Sequence, residues 1–183
     1  MFLFAYVILD VYSRKVVGWS IEDREDPDLA RQLFERVCRD CVVLPAFVHA
    51  DNGGPMRGLS LVAFLTQMQV GLSYSRPRVS DDNPFIEAFF KTLKYRVGYP
   101  KTFKDLESAR RWFAAFIDWY NTRYRHSGIQ YVTLEQRYSG QEHQLLAQRQ
   151  KTLNTAASLH PERFVHGCRR IAVQSVVVLN RAA

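Results

Sequence analysis

Apolar residues run without a break from Phe2 to Leu9, stop at Asp10, and return in a mixed stretch from Lys15 to Ile21. Such a run reads as a buried strand, with Ser13-Arg14 as the turn and the second stretch as the returning strand. Asp10 then falls near the hairpin tip, where an aspartate bonds its own backbone two residues on. After Asp26-Pro27-Asp28, a helix-start signal, the period lengthens: Ala30, Leu33, Phe34, Val37 and Cys41 share one helical face, which makes Cys41 a core residue. Pro45 to Ala50 is a short apolar strand that ends in Asp51 and an Asn52-Gly53-Gly54 turn. Leu61, Phe64, Leu65 and Met68 stripe a second helix, and Gly71 to Ser75 is another short strand. Asn83 and Pro84 are the N-cap and first residue of a third helix. A long helix follows from about Leu106 to Arg123, with Ala109, Phe113, Phe116, Ile117 and Tyr120 as a core stripe and Trp112 and Trp119 off it. Thr133 to Gln136 reads as a capping box, a polar helix runs from about Gln141 to Ser158, and His160-Pro161 ends it. Val173 to Leu179 forms a last strand-like run.

Two carboxylates stand out against this pattern. Asp51 ends a strand, at a sheet rim that a ligand can reach. Glu87 lies in the first turn of the third helix, with 35 residues between the two. Lys91 and Lys94 follow Glu87 at i+4 and i+7, so the carboxylate and both ammonium groups share one helical face. Hard cations such as Mg²⁺ or Mn²⁺ take oxygen ligands, and two ions held about 4 Å apart activate an attacking oxygen and stabilise a leaving one. Adjacent lysines would hold the phosphates of a nucleic acid. The same residues also have an ordinary reading, in which Asp51 caps a turn, Glu87 complements the helix dipole and the lysines pair with Glu87 on a solvated surface. Arg76 and Arg78, in the basic loop before the Glu87 helix, are either phosphate contacts or solvated loop residues. His49, two residues before Asp51, points to the same strand face and is either a supporting contact or a satisfied core histidine. His126 is either a phosphate donor or a residue that holds its own loop.

Bulk properties narrow the classes. A hydrophobic content of 47% excludes disorder as the main state. The net charge of +7 suits a polyanion or simple solubility. Its distribution is uneven: residues 1–60 carry nine acids and seven bases, and residues 84–126 nine bases and four acids. Cys38 and Cys41 have C-x-x-C spacing, but neither a second pair nor a histidine pair completes a zinc site. No segment approaches the roughly 20 apolar residues of a membrane span, and no basic stretch precedes the first apolar run as in a signal peptide. A P-loop is also absent, so ATP is not implied.

Several stretches occur in a fixed order: Tyr6 to Arg14, Val17-Gly18-Trp19, His49 to Gly53, Asp82-Asn83 through Glu87, Phe90 to Lys94, and Tyr120 to Ile129. In this the chain resembles the integrase-core domain of bacterial insertion-sequence transposases of the IS3 type, related to retroviral integrases. The resemblance implies an α/β, RNase H-like integrase core, a mixed sheet flanked by helices, with a site of three acidic residues binding two divalent ions, Mg²⁺ or Mn²⁺. In that family 35 residues separate the second and third catalytic carboxylates, which match Asp51 and Glu87. Lys91 and Lys94 match positions that contact element-end DNA in the related integrases. The first catalytic aspartate of the family lies on an opening strand upstream of the hairpin, and no acidic residue precedes Asp10 here.

The expectation is therefore a core missing its first strand over residues 1–139, with residues 140–183 as a C-terminal helical extension and terminal strand. The missing strand would leave two neighbours with unpaired backbone groups, and two carboxylates alone would bind metal weakly. The resemblance implies DNA transposition: metal-dependent phosphodiester hydrolysis at transposon ends, then attack of the freed 3′-hydroxyl on target DNA, by a chain that is inactive in isolation. Its partners would be DNA and either further copies or a full-length transposase, in the bacterial cytoplasm on the nucleoid. The alternatives are a non-catalytic DNA-binding remnant or regulator that pairs with an intact transposase, and a nuclease that cuts without joining.

Overall fold

The computed structural model describes residues 2–41, 43–76 and 82–179. Arg78 and the rest of the basic loop after Arg76 lie outside them.

The apolar run forms β1 (Phe4–Leu9), paired antiparallel with β2 (Val16–Glu22), and Asp10 directly precedes the turn at residues 11–13. The side chain of Asp26 accepts the Asp28 N–H at 2.8 Å and so starts α1 (Pro27–Asp40). Ala30, Leu33 and Phe34 of α1 pack with Phe4, Tyr6 and Ile8 of β1. Gly18 permits this close approach, since a Cβ there would stand 2.3 Å from Val37 Cγ2. Cys41 departs from the expected core stripe: it is the C-cap of α1 and only half-buried, its N–H bonded to Val37 O, because the helix ends before its side chain can turn inward.

β3 (Phe47–Ala50) crosses through α2 (Leu59–Gln67) to β4 (Gly71–Tyr74) and pairs with it in parallel. Leu61 and Leu65 of α2 join the core built by α1 and β1. The strands thus make two separate pairs, β1–β2 and β3–β4. Hydrogen-bond parity shows which way each inner strand faces. The carbonyls of Ile21 and Trp19 accept from Arg110 and Arg36, so these residues face away from β1, and their partners Ala5 and Val7 face away from β2. The carbonyls of Ala46 and Ala50 accept from Gly71 and Ser75, so Phe47 and His49 face away from β4. Among the described residues, no strand pairs with either of these edges.

α3 (Pro84–Lys94) and α4 (Leu106–Thr122) add an aromatic cluster. Phe89 meets Phe116 at 5.8 Å between ring centroids, Phe113 meets Trp19 of β2 at 5.2 Å, and Trp112 stacks on Phe116 at 5.6 Å. Trp112, off the predicted stripe, is therefore part of this cluster. No described helix is long and apolar enough to cross a membrane.

The chain divides into two compact units. One holds Met1–Val11 and Val16–Phe116, with the chain end from Val178; the other holds Tyr12–Lys15 and Ile117–Val177. In the second unit Ile129, Val132, Leu134 and Leu146 are buried. Its α5 (Leu134–Tyr138) opens with the predicted capping box of Thr133 and Gln136, and α6 (Glu142–Leu159) follows. At its centre Arg137, 2% exposed, donates Nη1 to Glu142 Oε2 at 2.9 Å, Nε to Tyr12 O at 2.8 Å and Nη2 to Gln174 O at 2.9 Å. Tyr12 Oη donates to the other Glu142 oxygen at 2.9 Å. The expected strand over Val173–Leu179 does not form. Nearby backbone is taken up by side chains instead, Gln174 O by Arg137 and Ile171 N–H by Gln150.

Candidate active site

Asp51 directly follows β3, where the ladder with β4 runs one rung further: Ser75 N–H donates to Ala50 O at 3.0 Å. Asn52 Nδ2 donates to Ser75 O at 2.7 Å, so the residues on either side of Asp51 are both fixed to Ser75. Asp51 Oδ1 accepts the Gly53 N–H at 3.0 Å. The carboxylate thus closes the turn and still faces solvent, so the turn-capping reading holds without excluding a ligand. Gly53 keeps that side open, because a Cβ on it would lie 2.9 Å from Oδ1.

Glu87 lies in the first turn of α3, as the Asn83-Pro84 signal predicts, although the Asn83 side chain makes no capping bond. Glu87, Lys91 and Lys94 are all exposed on one face. No ion pair joins Glu87 to either lysine among the described residues, so the reading of the lysines as mere partners of Glu87 is not realised. Both lysines sit in the last turn, where positive charge is favoured by the helix dipole.

The other residues singled out in the sequence have varied surroundings. His49 hydrogen-bonds Ser73 Oγ at 3.0 Å and Ser75 Oγ at 3.4 Å, which braces the strand pair beside Asp51. His126 holds its own loop, accepting the Gly128 N–H on Nδ1 at 3.0 Å; burial, and then the charge of Arg14, push its pKa down. Arg76 is bonded to Asp82, which raises its pKa. Ser75 has no signal in the sequence beyond its place at a strand end, and Asn52 and Asp82 fall within stretches that carry the family resemblance, with no sign there of the hydrogen bonds they make.

Among the described residues no group of three or more His, Cys, Asp or Glu is gathered as a metal site. Asp51 and Glu87 nonetheless fit a hard divalent ion by donor type: both are solvent-facing carboxylates, one just past a strand end and the other in the first turn of a helix.

Family comparisons give these residues a context. One integrase core domain model matches residues 2–80 and another residues 68–133. The catalytic core domain of BIV integrase superposes with a TM-score of 0.57 at 18% identity, covering 76% of this chain and 88% of that one. A chain of the simian T-cell lymphotropic virus intasome gives 0.53 at 12% identity, covering 74% and 52%. The architecture is thus an RNase H-like integrase core. The chain is 34% identical over 131 residues to the transposase for insertion sequence element IS904 of Lactococcus lactis, covering 70% of this chain and 52% of the relative. It is 30% identical over 127 residues to transposase InsF for insertion sequence IS3A of Escherichia coli K12, covering 68% and 44%. The chain belongs to the integrase-core family of insertion-sequence transposases, and it spans about half the length of the curated relatives it matches.

Proposed function

We propose that this chain is the DNA-processing core of an insertion-sequence transposase, with Asp51 and Glu87 as ligands of Mg²⁺ or Mn²⁺ and Lys91 and Lys94 as contacts to element-end DNA. The carrying observation is the exposed face of α3, which presents Glu87, Lys91 and Lys94 together with no ion pair between them among the described residues. Divalent cations at such a site supply polarisation of the phosphodiester and activation of an attacking hydroxyl. The protein's own part is positional. Asp51 is fixed by its neighbours' bonds to Ser75, Glu87 by the first turn of a helix, and the lysines neutralise phosphates and set the strand's register without reading sequence. The reactions are phosphodiester hydrolysis at an element end, and then attack of the freed 3′-hydroxyl on a target phosphodiester, which joins the element end to the target 5′-phosphate and releases a target 3′-hydroxyl, within an assembly on paired ends.

A second reading is a DNA-binding regulator that pairs with an intact transposase and does no chemistry. It is favoured by the lack of a three-ligand cluster among the described residues. Incubation with a labelled element-end duplex and Mn²⁺ separates the two. Cleavage abolished by Glu87→Gln supports the enzyme, and binding without cleavage supports the regulator. Cleavage with no joined 3′ ends would instead indicate a simple nuclease.

A further inference from the structure

Arg76 differs from Lys91 and Lys94 because its charged group is already engaged. Nε and Nη2 donate to Oδ2 and Oδ1 of Asp82 at 3.0 and 2.9 Å, and the Arg76 backbone N–H donates to Oδ2 at 2.7 Å. Asp82 is only 2% exposed, so these donors stabilise a carboxylate that burial would otherwise penalise. The fork is bidentate, a geometry that a lysine cannot reproduce.

The two ends of this pair lie at informative places. Arg76 follows Ser75, whose backbone bonds the residues on both sides of Asp51. Asp82 precedes Asn83, the N-cap of the helix that carries Glu87. One hydrogen-bonded run therefore connects the Asp51 turn to the start of α3 through Ser75, Arg76 and Asp82. With 35 residues between Asp51 and Glu87, the covalent chain alone imposes no fixed spacing on the two carboxylates. Ligand groups on separate elements must be held to about half an ångström to work together.

We propose that Arg76 and Asp82 are positioning residues: their clamp fixes the helix of Glu87 against the strand end of Asp51 and so sets the spacing of the two metal ligands. This rests on the metal-site reading of Asp51 and Glu87. It gives Arg76 a role other than the phosphate contact that its charge suggests.

The test measures Mn²⁺ affinity of the full chain by electron paramagnetic resonance, together with the salt dependence of DNA binding. Arg76→Gln and Asp82→Asn are each expected to weaken Mn²⁺ about tenfold or more. The double variant should be no weaker than either single one, and the salt slope should stay unchanged. Arg76→Lys should fail to restore Mn²⁺ affinity, because it keeps the charge and loses the fork. If Arg76→Gln lowers the salt slope by about one, Mn²⁺ affinity holds and lysine substitutes freely, Arg76 is a phosphate contact and the clamp is overturned.

Asp51→Asn and Glu87→Gln serve as controls. If the unmutated chain binds no Mn²⁺, or both controls bind it normally, the metal-site reading fails. The clamp is then decided by a spin-label distance between Gly54→Cys and Ala88→Cys, with Cys38, Cys41 and Cys168 replaced by serine. Gly54 has open space for a side chain and Ala88 is exposed. A narrow distance distribution that broadens in Arg76→Gln and Asp82→Asn supports the clamp, and an unchanged distribution overturns it.

Discussion

Around Arg137, charged and polar groups are buried and mutually committed: the guanidinium serves Glu142, Tyr12 and Gln174, and both Glu142 oxygens are occupied. Around Asp51 and Glu87 the carboxylates are exposed, with one Asp51 oxygen closing a turn and Glu87 joined to neither lysine among the described residues. The backbone is well fixed in both places. What differs is the bonding capacity left at the side-chain tips. A saturated buried network has nothing left to offer a ligand and acts on the fold, whereas fixed backbone beneath solvent-facing oxygens leaves the chemistry to whatever binds. Asp82 is intermediate, buried and hydrogen-bonded like Glu142 but located just before the helix that carries Glu87.

This contrast breaks most readily at Arg137. Arg137→Leu strands the Glu142 carboxylate in the interior and should cost about 3–5 kcal/mol in equilibrium urea unfolding, while adding Glu142→Leu should recover much of it. A full loss that the double variant does not recover would mean that packing, not charge pairing, organises the region. A smaller effect is expected at His126, whose pKa is pushed below the ordinary histidine value. The unfolded chain takes up that proton first, so the contribution is complete above about pH 6.5 and is lost as pH falls through the lower folded value. Urea midpoints at pH 7.5 and 5.5 should differ less in His126→Gln than in the parent chain. Smaller still, Asp51→Asn and Glu87→Gln should change stability by no more than about 0.5 kcal/mol while weakening Mn²⁺ binding. A large destabilisation in either would move that residue to the Arg137 side of the comparison. The smallest effect is set for Lys91→Ala and Lys94→Ala: each should lower the salt slope of DNA binding by about one, with the urea midpoint unchanged.

Much of the architecture was legible because it depends on short-range signals. The apolar run of β1, the Asp26 cap of α1, the Thr133–Gln136 box and the aromatic stripe of α4 each announce themselves within a turn or two of chain. The Asp51 and Glu87 positions were legible in the same way, from a strand end and a helix start. Arg137 gave no such signal, because a buried arginine looks like a surface one until Tyr12, 125 residues away, is brought beside it. Arg76 carries the opposite ambiguity: its charge reads as a phosphate contact or a solvated loop residue, and nothing in the chain pairs it with Asp82 until the fold brings the two together. The Val173–Leu179 run has strand composition, yet pairing needs a neighbouring edge, and Gln174 meets the side chain of Arg137 instead.

Among the described residues no strand pairs with the outer edges of β1 and β3, which bears on how this polypeptide behaves in solution. Phe4–Leu9 is six residues without charge or proline, and Phe47–Ala50 has no lysine or proline to deter another strand. Exposed edges of this composition template the addition of foreign or identical strands and favour aggregation. The net charge of +7 opposes that self-association only through weak, salt-screened repulsion. Yield and shelf life should therefore fall as ionic strength rises, and should depend less on global stability than on whether these two short edges are covered.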